Sequence, residues 1–262
     1  ESQMLDRAIE EGRLQRWQLD RLAAVLVQFY RRAGAAFVAP QAHIRELWSS
    51  LAFNRRILCD PRFRLPAGRV QQIDAVQRRF LTERAGLLAE RVRARHIVDG
   101  HGDLRPEHIW LGDPVRIIDC LEFNARLRMV DPFDEIAFLC IECERLGAAW
   151  AGEYLRRHMA HALDDGKSEE LFVFYRCHRA TLRARLAIAH LLEPDPRTPE
   201  KWAPLARAYL QIAAADAVRL DKILRRPRDR LALRRRAGDE WLRPGAAPPR
   251  SYRSWRVPRR PV

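Results

Sequence analysis

Apolar residues recur at helical spacing through most of this chain, and the recurrence stops once, between about residues 96 and 131. On the N-terminal side Leu5, Ile9, Leu14, Leu19, Leu22, Val25, Leu26 and Phe29 fall on one stripe, which predicts a helix over residues 4–33 ended by Gly34. Ile44, Leu47, Trp48 and Leu51 predict a second helix over about 42–58, and Ile73, Val76, Phe80, Leu87 and Leu88 a third over about 70–95. Asp60-Pro61 and Pro66-Ala67-Gly68 punctuate the chain between them. Beyond Asp131 the helical period returns over about 133–147, 150–163, 169–192 and 199–224, with Pro194 and Pro196 separating the last two. A chain so patterned folds as a mainly α domain, and its few short strands (α+β) must lie in the interruption.

The interruption reads His96-Ile97-Val98-Asp99, a short apolar run, then the loop Gly100-His101-Gly102-Asp103. Ile109-Trp110-Leu111 and Val115-Arg116-Ile117-Ile118 predict a small hairpin around Gly112-Asp113-Pro114. Three polar segments stand in order here: His101-Gly102-Asp103-Leu104-Arg105-Pro106-Glu107-His108, then Ile117-Ile118-Asp119, then Asp131-Pro132-Phe133-Asp134. Phosphoryl transfer to a hydroxyl needs one carboxylate to take the acceptor's proton and another to hold a cation against the nucleotide phosphates. Asp103 in a tight loop suits the first role, and Asp119 at the end of the hairpin suits the second. His108, five residues after Asp103, turns toward the same pocket if the loop closes on itself. Asp131 and Asp134 are helix-start residues by type.

HGDLRPEH resembles the catalytic loop HGDLxxxN of the aminoglycoside phosphotransferase and choline kinase family, relatives of the protein kinases. IIDCLEF is similar to the family's metal-binding segment and DPFDEIAFL to its DPxxDLA segment, in the family's order. The likeness is strong from about Ile97 to Leu139 and diffuse over the flanking helices. It is closest to uncharacterised bacterial phosphotransferase-like proteins, some fused to a P-loop ATPase domain. It implies the C-terminal helical lobe of a protein kinase-like fold over residues 1–224, with a catalytic loop at 99–111 and a metal segment at 115–123. By that likeness Asp103 is the catalytic base and Arg105 steadies the transferred phosphate. Asp119 and His108 hold Mg2+ or Mn2+ together with ATP or another nucleoside triphosphate, and Glu122 is a further candidate ligand. His101 and Asp134 support the loop, with Asp134 as the buttress. The family has Asn where His108 stands, and an imidazole nitrogen suits manganese or zinc better than magnesium. The acceptor implied is a small-molecule hydroxyl.

The nucleotide-gripping half of such an enzyme is not legible here. The glycines before His101 (Gly12, Gly34, Gly68, Gly86 and Gly100) form no cluster, and the three lysines, Lys167, Lys201 and Lys222, all follow the catalytic loop. The expectation is an N-terminal β lobe, or a fused ATPase domain, missing from this chain, and little ATP-dependent activity from the chain alone. A catalytically silent kinase-like binding module is the alternative.

Charge points to a third possibility. Residues 225–262 hold 13 Arg against Asp229, Asp239 and Glu240, so this stretch carries +10 of the chain's +14. With Trp241, Tyr252 and Trp255 among the arginines, an anionic surface or nucleic acid is conceivable. A disordered, solvated Arg/Pro-rich tail is the preferred reading. No apolar run is long enough to span a bilayer, and Glu1 to Glu11 are too polar for a signal peptide. Five scattered cysteines make no disulfide framework, so a reducing, cytoplasmic setting is expected. Cys140 and Cys143 lie inside an apolar helix with no second pair to complete a zinc site, so they read as buried hydrophobes.

Overall fold

The computed structural model describes residues 3–163 and 169–226. It is mainly helical, with a few short strands. The helices are α1 (Leu5–Glu10), α2 (Arg16–Arg32), α3 (Pro40–Leu58), α4 (Ala67–Arg93), α5 (Ala125–Arg128), α6 (Pro132–Arg145), α7 (Ala149–Ala162), α8 (Glu169–Ala189) and α9 (Pro199–Leu224). The strands are β1 (Val98–Asp99), β2 (Ile109–Trp110), β3 (Arg116–Ile117) and β4 (Met129–Val130).

The single helix expected over 4–33 is two. Gly12 adopts φ +65°, a left-handed turn that ends α1. Gln15 and Gln18 then form a reciprocal cap that starts α2. The apolar stripe runs through both pieces, so periodicity alone does not reveal the break. The other long helices fall within a few residues of their expected bounds. Pro stands in the first turn of α3, α6 and α9, where its missing N–H costs no hydrogen bond.

The helices pack around one apolar interior. Phe80 of α4 stacks on Phe174 of α8 with ring centroids 4.2 Å apart. Phe138 and Ile141 of α6, Ile188 of α8 and Tyr209 and Leu210 of α9 share one buried cluster with Leu58 and Ile73. Each fully buried side chain of this size contributes roughly 1.5–3 kcal/mol. Cys140 and Cys143 are part of the interior, and the Cys140 thiol faces the Gly152 carbonyl at 3.1 Å, where α7 passes close to α6. Burial pushes the Cys140 thiol up to about 12, as expected of an inert core cysteine.

The strands sit where the helical period fails. The expected hairpin forms, with β2 antiparallel to β3 and Ile109 opposite Ile117. β1 pairs antiparallel with β4, Val98 opposite Val130, and Ala35 bridges to Val98 on the other side. Neither β4 nor α5 carries a sequence pattern long enough to be read. Among the described residues no helix is long and apolar enough to cross a membrane. The expected basic tail lies, from residue 227 on, outside the described residues.

Candidate functional site

The loop after β1 is shaped by one buried carboxylate. Glu135, in the first turn of α6, is fully buried. It accepts the backbone N–H of His101 at 3.1 Å, the N–H of Gly102, and the Tyr30 hydroxyl at 2.9 Å. Gly102 sits at φ +86°, a conformation that favours glycine. A Cβ on Gly100 would lie 2.6 Å from a Glu135 oxygen, so only glycine lets the loop come this close. Burial is the largest influence on Glu135 and raises its carboxyl above the ordinary value, against the pull of the His101 and Gly102 amides and Tyr30.

His101 joins this loop to the hairpin. Its Nε2 donates to the Ile118 carbonyl at 2.8 Å, so Nδ1 is free to accept the Asp103 N–H at 3.3 Å. One ring therefore fixes both the residue before Asp119 and the backbone of Asp103. Asp119 itself adopts φ +61°, a left-handed conformation that Asp tolerates better than most residues and that recurs at functional sites.

Asp103 and Asp119 meet at His108. His108 Nδ1 donates to the Asp103 backbone carbonyl at 2.9 Å and lies 3.7 Å from Asp103 Oδ2. His108 Nε2 lies 3.2 Å from Asp119 Oδ2. With the Nδ1 proton committed, a neutral ring turns a lone pair toward the Asp119 carboxylate. Two acceptors at that distance are bridged by a shared proton or by a metal ion. The Asp119 side chain is 76% exposed and that of Asp103 24%, so the pair opens to solvent on the Asp119 side.

Arg105 lies 3.7 Å from Asp103 Oδ2 and donates to Glu107 at 2.9 Å. Burial works against its charge, but Glu107 and Asp103 outweigh burial and hold the guanidinium above its ordinary value. Glu122, by contrast, accepts from the Cys120 thiol at 4.0 Å. Among the described residues no group of three or more His, Cys, Asp or Glu is placed to hold a metal ion. The donor set is thus one carboxylate and one imidazole. This fits a divalent cation that takes its other ligands from water and phosphate, as magnesium and manganese commonly do.

Asp134, expected as the loop's buttress, is turned the other way. It pairs with Arg179 of α8 through two bonds of 2.8 and 2.6 Å. The loop amides belong to its neighbour Glu135. The reason is helical geometry: adjacent residues point about 100° apart, and Glu135, not Asp134, faces the loop. Glu135, Tyr30 and Arg179 are the residues that the sequence reading missed. The available signal was a carboxylate inside the apolar run of α6, which must find buried donors. Asp131 does start a helix: it accepts the Phe133 N–H at 2.9 Å, pairs with Arg91 at 2.6 and 2.7 Å, and accepts the Tyr175 hydroxyl at 3.0 Å.

No family model matches the chain, and no solved structure matches it. Curated relatives do: uncharacterised proteins of Mycobacterium tuberculosis and Mycobacterium bovis, each 31% identical over 205 residues. The match covers 77% of this chain and 38% of each relative, so the chain spans less than half the length of the proteins it resembles.

Proposed function

We propose that the described helical domain is the large lobe of a kinase-like phosphotransferase of the aminoglycoside phosphotransferase type. Its reaction would be transfer of a nucleotide γ-phosphate to a small-molecule hydroxyl. The observation that carries this reading is the convergence of Asp103 and Asp119 on the two nitrogens of one imidazole, His108. Residues sixteen positions apart meet there, with the spacing and order that the resemblance implies.

In this reading Asp103 orients the acceptor hydroxyl and takes its proton. It is half-buried, with Arg105 and His108 each 3.7 Å from its Oδ2. Arg105, held by Glu107, presents its guanidinium beside the position of the moving phosphate. Asp119 and His108 would hold Mg2+ or Mn2+, which neutralises phosphate charge when bound. The imidazole nitrogen favours Mn2+. ATP, or another nucleoside triphosphate, would be gripped by elements that are not among the described residues, such as a β lobe or a fused ATPase domain. The relatives' greater length is consistent with such elements.

One observation favours a silent binding module instead: only two described side chains offer themselves to a cation. Turnover separates the two. With ATP, Mn2+ and a panel of sugar and amino-alcohol acceptors, this 262-residue chain is expected to turn over little. Substantial transfer that disappears in Asp103→Ala would establish the base and overturn the expectation of weak activity. Substantial transfer that survives Asp103→Ala would remove Asp103 from the mechanism.

A further inference from the structure

The buried and half-buried arginines of the described residues sit against carboxylates. Arg84 meets Glu170 at 2.8 Å, Arg176 meets Glu144 at 2.6 Å, and Arg183 meets Glu142 at 3.1 Å. Arg185 of α8 is the exception. It is half-buried, its Nε donates to Asn54 Oδ1 at 2.8 Å, and no carboxylate of the described residues lies within salt-bridge reach. Burial acts on it unopposed and draws the guanidinium below its ordinary value, whereas Arg105, Arg145, Arg176 and Arg179 are all raised by their acids.

Two further features lie beside it on α3. Arg56 and Arg185 both stand over the ring of Phe53, their guanidinium carbons 4.9 and 4.6 Å from its centroid. No described carboxylate pairs with Arg56 either. An aromatic face steadies a cation without neutralising it. Asn54 is 1% exposed, and Arg185 fixes its carboxamide by taking Oδ1. Its Nδ2 is left buried with no acceptor. Among the described residues, the seam between α3 and α8 therefore gathers two cations that pair with no acid, and a spare donor.

We propose that this seam is a binding site for the phosphate group of a small soluble molecule, with Arg185 and Arg56 as its two guanidinium forks and Asn54 holding Arg185 in position. A dianion matches two unpaired cations, where a monocarboxylate would leave one unmatched. Guanidinium geometry suits phosphate oxygens bidentately. The site is separate from Asp103, Asp119 and His108, and it does not depend on the phosphotransferase reading.

The test is a titration of the full chain with inorganic phosphate, followed by the Arg185 Nε–H resonance, which Arg185→Lys assigns. Sodium chloride at matched ionic strength is the control. The expected result is a saturable shift with phosphate, none with chloride, and affinity weakened by about tenfold or more in the exposed-site variant Arg56→Gln. No saturable shift, an equal response to chloride, or unchanged affinity in Arg56→Gln would overturn the proposal. So would a response to phosphatidic acid vesicles with none to free phosphate, which would make the ligand a lipid surface.

Discussion

At the scale of single residues, the candidate site depends on Glu135 as much as on Asp103, His108 and Asp119. Glu135→Ala leaves three buried donors without an acceptor, at about 1–3 kcal/mol for each group. The expected loss of stability is about 3–5 kcal/mol by denaturant unfolding, because the loop relaxes to satisfy part of the deficit. A loss under 1 kcal/mol would mean that the loop is held by something else. Glu135 also carries a pH signature. Its carboxyl is raised above 4.5, so between 4.5 and its folded value the native state binds the proton that the unfolded chain has lost. Its contribution to stability therefore falls as pH rises above 4.5. Unfolding free energies of wild type and Glu135→Gln, compared from pH 4 to 8, should show wild type losing ground with rising pH. A constant difference would contradict the burial argument. Asp103, His108 and Asp119 were legible in the sequence because a short loop and a hairpin bring them together locally. Glu135 was not, because its role depends on which way one turn of α6 faces and on Tyr30, more than one hundred positions away.

At the scale of elements, the helices were legible and their junctions were not. Apolar spacing carries no information about Gly12 turning left-handed, nor about two-residue strands such as β4. The seam between α3 and α8 supplies a sharper check. His178 of α8 is buried against Ser50 of α3, with Ser50 Oγ 3.0 Å from its Nε2, and burial lowers the imidazole to about 4. Asp134 opposes that shift, and Arg179, Arg185 and His43 add to it. An imidazole lowered from 6.5 to about 4 is neutral in the fold and charged in the unfolded chain throughout that window. Stability is therefore full above pH 6.5 and is lost as pH falls to about 4, by roughly 3 kcal/mol in all. His178→Gln should flatten this slope, and an unaltered acid limb in that variant would sink the assignment. The α6–α7 crossing gives a second check. A Cβ on Gly152 would meet the Cys140 Cα at 2.8 Å, a backbone atom that cannot swing aside. Gly152→Ala is expected to cost about 1–3 kcal/mol of unfolding free energy, and a neutral result would mean that the helices separate easily.

At the scale of the whole molecule, a helical domain carries a polar loop and a hairpin where its helical pattern is interrupted, and Asp103, His108 and Asp119 come together in that interruption. The curated relatives extend this picture in length without saying what it does, since they are themselves uncharacterised. The phosphotransferase reading therefore rests on whether the exposed Asp119 and the ring of His108 share a cation. Manganese is the direct probe, because its electron spin reports both affinity and the nitrogen nuclei bound to it. Titrated with Mn2+ in the presence of ATP, the wild-type chain should show a bound ion with nitrogen hyperfine coupling. That coupling should vanish in His108→Ala, and affinity should fall about tenfold or more in Asp119→Asn. Unchanged affinity in Asp119→Asn, together with a bound ion that shows no nitrogen coupling in wild type, would contradict the account.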